Sequence, residues 1–333
     1  MPVGFRRGRV EDATRPNWDG NGPRPLLWAA WYPASDDSIE RELFPDRQSE
    51  TWFAIGPAAR DAPINPARRR YPIVMLSHGT GGAALHLEWL ARDLADRGFI
   101  AIAVDHHGNT TTEPYRAEGF LCWWERARDL TVLLDTLEAR GEFAGRLDMD
   151  RVFVAGYSLG GCTAAALLGA ITETSRFQNS PANKGFGRGP RELPDLADHL
   201  PGLLENSAIF RESWARMSNS YRDERFKAAL LLAPGRSVHG FNEQQLSAIE
   251  TPTRIVVGGF DFVAPAATWL HQRLRTSTFD LLASEVGHYV FLPEATDAGR
   301  RAGPDVCVDA PSVDRGAIHK HVATLAANLF LAG

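Results

Sequence analysis

Cysteine is scarce in this chain of 333 residues: Cys122, Cys162 and Cys307 are far apart and odd in number. That excludes a disulfide framework and a CxxC-type zinc site, and leaves room for one bridge at most. Long apolar runs are also missing. None approaches the roughly 20 residues that cross a bilayer, and Met1-Pro2-Val3-Gly4-Phe5-Arg6-Arg7 leads into polar residues rather than an apolar signal core. The expectation is a soluble, cytoplasmic protein without a membrane span. Nor is there an excess of positive charge: Lys+Arg 36 against Asp+Glu 41 leaves a formal net charge of -5, which offers nothing to a phosphate backbone and excludes nucleic acid as a partner.

What is present suits a large packed core: 44% of residues are hydrophobic and 23% charged. Residues 11–25 are rich in Asp, Asn, Gly and Pro and read as a surface turn region, followed by a strand over Leu26 to Trp31. Ala34 to Arg70 reads as a long irregular loop. Thereafter short apolar runs alternate with helical periodicity. Strands are expected at Ile73 to Leu76, Phe99 to Val104, Val152 to Ala155, Ala228 to Leu232, Ile255 to Val257 and Phe279 to Leu282. Helices are expected at Ala84 to Leu94, Phe120 to Leu137, Leu159 to Leu168, Ala266 to Leu274 and Ile318 to Leu331. Such alternation predicts one α/β domain over residues 1–333, a mostly parallel sheet with helices on both faces. Residues 172–226 interrupt the rhythm at a length that α/β connections do not use, and read as a lid or cap inserted into the domain.

Gly156-Tyr157-Ser158-Leu159-Gly160 matches G-x-S-x-G and stands between an expected strand and an expected helix, the context that a nucleophile on a sharp strand-to-helix turn requires. Serine is a poor nucleophile at neutral pH, so a base must take its proton and a third group must orient that base. In this arrangement the acid and then the histidine follow the serine along the chain. Among the histidines beyond the later strands, His271, His319 and His321 fall in helical patterns. His288 lies on a loop after a strand, and Asp261 follows the preceding strand with Pro265 opening the next helix. Glu285 is the near competitor for the acid. A tetrahedral oxyanion would need two backbone N–H donors, assigned to Thr80, in Ser77-His78-Gly79-Thr80, and to Leu159.

The chain resembles the branch of the α/β-hydrolase superfamily that contains platelet-activating-factor acetylhydrolase and dienelactone-hydrolase-like serine esterases. The resemblance rests on Trp31-Tyr32-Pro33, Ser77-His78-Gly79, Asp105-His106-His107-Gly108-Asn109, the serine motif, Asp261 and His288. It implies the α/β-hydrolase fold and cleavage of a small-molecule carboxylic ester, of acyl and alcohol size left open, through an acyl-enzyme and with no cofactor. Dienelactone hydrolases proper use cysteine where this chain has Ser158. Amidase, lactonase and thioesterase chemistry use the same triad, and a non-catalytic small-molecule receptor is the reading from another class. Asp105, His106 and His107 lack a further ligand at suitable spacing, so no metal is expected. His107, Trp123, Trp124, Phe210, Trp214, Phe262 and Tyr289 are the candidates for lining a substrate pocket.

Overall fold

The computed structural model describes residues 1–45, 51–179 and 189–332, the side chains of 177–179 excepted. Continuous apolar runs suit strands covered on both faces, and the central ones are buried at every position: β4 (Tyr71–Ser77) and β5 (Ile100–Asp105). They join β1 (Val3–Pro16), β2 (Pro23–Pro33), β3 (Ala59–Arg60), β6 (Leu147–Tyr157), β7 (Phe226–Leu232), β8 (Thr253–Val257) and β9 (Ser277–Leu281). The sheet has nine strands in the order β3-β1-β2-β5-β4-β6-β7-β8-β9. From β5 to β9 every neighbouring pair is parallel, whereas β2 runs antiparallel to both β1 and β5.

The helices include α1 (Glu88–Asp96), α2 (Ala117–Leu121), α3 (Glu125–Ala139), α4 (Leu159–Leu167), α5 (Thr174–Asn179), α6 (Leu196–Asn206), α7 (Ala208–Ala215), α8 (Ala264–His271) and α9 (Arg315–Ala332); further short helices lie at Glu243–Ser247, Asp297–Ala302 and Pro304–Cys307. Helix α1 packs on α9, and α3 on α4. Phe153 of β6 stacks on Phe330 of α9 at 5.0 Å between ring centroids. The pleat turns its neighbours Val152 and Val154 to the opposite face. No described helix is long and apolar enough to cross a membrane.

The N-terminal region departs from expectation. Residues 11–16, expected in a turn, continue β1, and the turn narrows to the stretch closed by the Asn17 N–H donating to the Gly22 carbonyl. Two glycines disguise the strand. Gly4 and Gly8 stand opposite Tyr32 and Trp28 of β2, and a Cβ on either would lie 2.4 or 2.5 Å from those rings. The aromatic side chains of β2 cover the bare backbone of β1, a cross-strand packing that composition alone does not reveal. The stretch expected as one helix from Phe120 is broken into α2 and α3 at Cys122 to Trp124.

The stretch 172–226, expected as an inserted lid, is partly helical. Residues 180–188 of it lie outside the described residues. Its α6 packs on α2, and its α7 is fastened to the start of α3: Trp124 donates through Nε1 to the Ser213 carbonyl, while Ser213 Oγ donates to Glu125 at 2.7 Å.

Candidate active site

Strand β6 ends at Tyr157 and α4 begins at Leu159, leaving Ser158 alone to make the turn. Its φ of 53° and ψ of −115° lie in a region that non-glycine residues rarely adopt. The turn survives because its surroundings leave no alternative. The Ser158 N–H donates to the Leu232 carbonyl, and the Ser158 carbonyl accepts from Gly161 and Gly235. A Cβ on Gly160 would stand 1.9 Å from the Ser77 carbonyl oxygen, so α4 starts in backbone contact with the end of β4. The N-terminal end of α4 points its positive dipole at the serine.

The loops after β8 and β9 bring in the partners. They cross at the Phe260 N–H, which donates to the Val286 carbonyl at 2.9 Å. That crossing sets Asp261 against His288: Nδ1 of His288 lies 3.0 Å from each carboxylate oxygen of Asp261, and Nε2 lies 3.1 Å from Ser158 Oγ. Asp261 Oδ1 also accepts from the Val263 N–H at 2.9 Å. With a carboxylate at Nδ1, the neutral ring carries its proton there and turns the Nε2 lone pair to the serine hydroxyl. The imidazole is wedged between Tyr157 and Phe262, at centroid distances of 5.1 and 4.5 Å. Glu285 is exposed, Asp280 pairs with Arg254, His271 meets Ser277, and His319 donates through Nε2 to the Val290 carbonyl.

The Ser77-to-Gly82 turn faces the serine from the other side. Its Gly81 N–H donates to Asn109 Oδ1 at 2.6 Å, and Tyr115 donates to the Gly81 carbonyl at 2.8 Å. Among the described residues no acceptor takes the N–H of Thr80 or of Leu159. Thr80, Leu159, Ser158 and His288 all border one cavity of about 1220 Å³.

Of the aromatic residues expected around a pocket, Trp123, Phe262 and Tyr289 line this cavity; His107, Trp124, Phe210 and Trp214 do not. His107 is buried beside Trp18, whose N–H it accepts, and pairs with Glu113. Trp214 packs on both Phe210 and Trp124, with centroids 5.4 and 5.5 Å away, where the segment Ala208–Ala215 meets α3. Their apolar area is used to hold that segment down. The other walls come from Phe53, Ile55, Leu85, Leu196 and Val306, and charge enters from Arg191, Glu192 and Arg236. Phe53 and Ile55 belong to the irregular stretch before β4, which has no periodicity to mark them. Burial raises the pKa of Glu192 above the ordinary carboxyl value.

No three described His, Cys, Asp or Glu residues form a group that could hold a metal. Asp105 instead accepts from the Ala84 N–H and from Thr110, and His106 lies between Ser77 and Asp129. The three cysteines are buried and unbridged.

A family model described as serine aminopeptidase, S33 (Hydrolase_4), matches residues 69–179, which take in the Thr80 turn and Ser158 and stop short of Asp261 and His288. Two cutinases of Thermobifida alba, est1 and est2, are each 32% identical over 93 residues. That match spans 27% of this chain and only 28% of the length of each cutinase. A ferulic acid esterase from Streptomyces cinnamoneus has a similar structure at a TM-score of 0.63 and 20% identity, covering 99% of this chain and 89% of that one. With the mostly parallel sheet flanked by helices and a serine on the turn after β6, this likeness along nearly the whole chain identifies the architecture as the α/β-hydrolase fold.

Proposed function

We propose that the chain is a carboxylic ester hydrolase that works through an acyl-enzyme on Ser158. The observation that carries this is the line from Asp261 through His288 to Ser158 Oγ, with hydrogen-bonding distances at both joints. His288 takes the hydroxyl proton as Ser158 attacks the ester carbonyl, and Asp261 stabilises the imidazolium. The oxyanion is held by the N–H groups of Thr80 and Leu159, which border the cavity and have no acceptor among the described residues. His288 then protonates the departing alcohol, and water repeats the cycle on the acyl group. No cofactor takes part in these steps.

The esterase and cutinase names among the similar proteins support this reading, as do the sequence features shared with the acetylhydrolase and dienelactone-hydrolase-like branch. The cavity exceeds the roughly 300–1,000 Å³ of ordinary small-molecule sites, which favours esters with a bulky acyl or alcohol part. Residues 189–196 of the inserted segment contribute Pro190, Arg191, Glu192 and Leu196 to its wall, consistent with a lid that shapes substrate choice.

The test is labelling by a fluorophosphonate together with turnover of p-nitrophenyl esters graded by acyl size. Labelling of Ser158 and loss of ester turnover in Ser158→Ala are expected. A wild-type protein that neither labels nor turns over esters would favour a binding protein. The match to an aminopeptidase family supports a second reading, amide hydrolysis, and matched anilides separate the two by relative kcat/KM.

A further inference from the structure

Behind the Thr80 turn lies a group of charged side chains that is almost sealed from water. Asp12, Glu125 and Asp129 are each no more than 2% exposed. Three guanidinium groups answer these three carboxylates. Arg15 bridges all of them, Arg24 grips both oxygens of Asp129, and Arg216 reaches Glu125 from the edge at 2.8 Å. A fourth guanidinium, that of Arg126, is 1% exposed and pairs with none of them. Its Nε and Nη1 have no hydrogen-bond partner among the described residues. An uncompensated buried cation is costly, and its position suggests what offsets the cost.

Arg126 touches the turn that carries Thr80. Its Nη2 donates to the carbonyl of His78 and lies 3.2 Å from Nδ1 of that ring. His78 Nε2 accepts from the His106 N–H at 3.2 Å, so the ring proton sits on Nδ1 and is donated to the Gly79 carbonyl at 2.7 Å. The peptide whose carbonyl receives that proton is the one whose N–H belongs to Thr80. Burial first, and then the Arg126 charge, hold the His78 pKa well below its ordinary value, which keeps the ring neutral and this polarity fixed.

We propose that Arg126 is a positioning residue for the ester hydrolysis proposed above: its unpaired charge holds the His78–Thr80 turn and favours the negative charge that forms in front of the Thr80 N–H during attack. The buried cation makes no ion pair with a described residue in the resting protein, with Asp129 acting on it only at longer range, and the tetrahedral intermediate adds a negative charge at the turn it holds. In a water-excluded site such a charge acts more strongly than it would in solvent. The groups that face it are His78, His106, Asp129 of its own helix, Arg24 and Cys162.

The experiment compares full-length Arg126→Met and Arg126→Lys with wild type, using an aryl ester. Arg126→Met is expected to lower kcat about 10- to 100-fold with KM nearly unchanged, and to weaken a trifluoromethyl ketone, whose serine adduct carries an oxyanion, by a similar factor. Arg126→Lys keeps the charge only while protonated, and burial lowers an ammonium pKa. Its kcat relative to wild type should therefore be high near pH 6 and fall as pH rises, a trend that a purely structural role does not produce. If Arg126→Met does not fold, that pH trend decides. The proposal is overturned by a folded Arg126→Met with wild-type kcat, or by a Lys variant whose relative kcat is flat with pH. An unlabelled, inactive wild type would instead overturn the esterase reading on which the proposal rests.

Discussion

Ser77 Oγ lies 2.9 Å from Nε2 of His106, a serine–histidine contact slightly shorter than the one at the cavity, and Asp129 closes it at Nδ1, also at 2.9 Å. The described residues thus hold two serine–histidine–aspartate arrays. Only the array at Ser158 borders the cavity. Ser77, His106 and Asp129 are fully buried, and Ser77 ends its strand without the positive φ that sets Ser158 apart from β6. A fluorophosphonate should therefore modify Ser158 alone, and Ser158→Ala should abolish labelling entirely. Mass mapping of the labelled peptide checks this; an adduct on Ser77 would contradict it.

Asp261→Asn keeps an oxygen for the Val263 N–H but presents an amide to Nδ1, which favours the wrong tautomer of His288. The expected loss is about 10⁴-fold in kcat, by analogy with triad aspartates elsewhere. Thermal unfolding should shift little, whereas Glu285→Gln, on an exposed side chain, should leave both rate and stability unchanged.

Gly160→Ala would set a methyl, fixed by its own backbone, 1.9 Å from the backbone carbonyl oxygen of Ser77. The start of α4 and the end of β4 would have to separate. Destabilisation of about 3 kcal/mol or more is expected, with loss of ester turnover even in the fraction that folds. Denaturant titration and steady-state kinetics at low temperature separate the two effects.

Glu88, on α1, has its pKa raised from 4.5 to about 7, chiefly by burial and only partly offset by Arg92. A raised carboxyl pKa means that the folded protein holds the proton more tightly than the unfolded chain does. This contribution is full below pH 4.5, declines as pH rises to 7, and is then gone, a swing of about 3 kcal/mol at most. Glu88→Gln should remove that decline, read as a flatter pH dependence of unfolding free energy between pH 4.5 and 7. An unchanged slope would show that Glu88 titrates normally.

Much of the architecture was legible because it is written locally. Residues 73–76 and 100–104 are apolar without interruption, as strands covered on both faces must be, and the G-x-S-x-G turn sits where a strand meets a helix. β1 was hidden because its glycines are completed by Tyr32 and Trp28 of another strand. Trp124, Phe210 and Trp214 read as pocket residues because an aromatic side chain has the same composition signal whether it faces a ligand or a neighbouring helix.

The sequence by itself determined the strand and helix rhythm, the strained serine turn, and the order in which Asp261 and His288 follow it. These depend on side-chain periodicity and backbone sterics over a few residues. The tertiary structure alone decided the distances from His288 to residues 130 and 27 positions away, the cavity walls drawn from unpatterned loops, and the unpaired charge of Arg126. Such properties arise from groups far apart in the chain, and no local pattern encodes which of them will share a space closed to water.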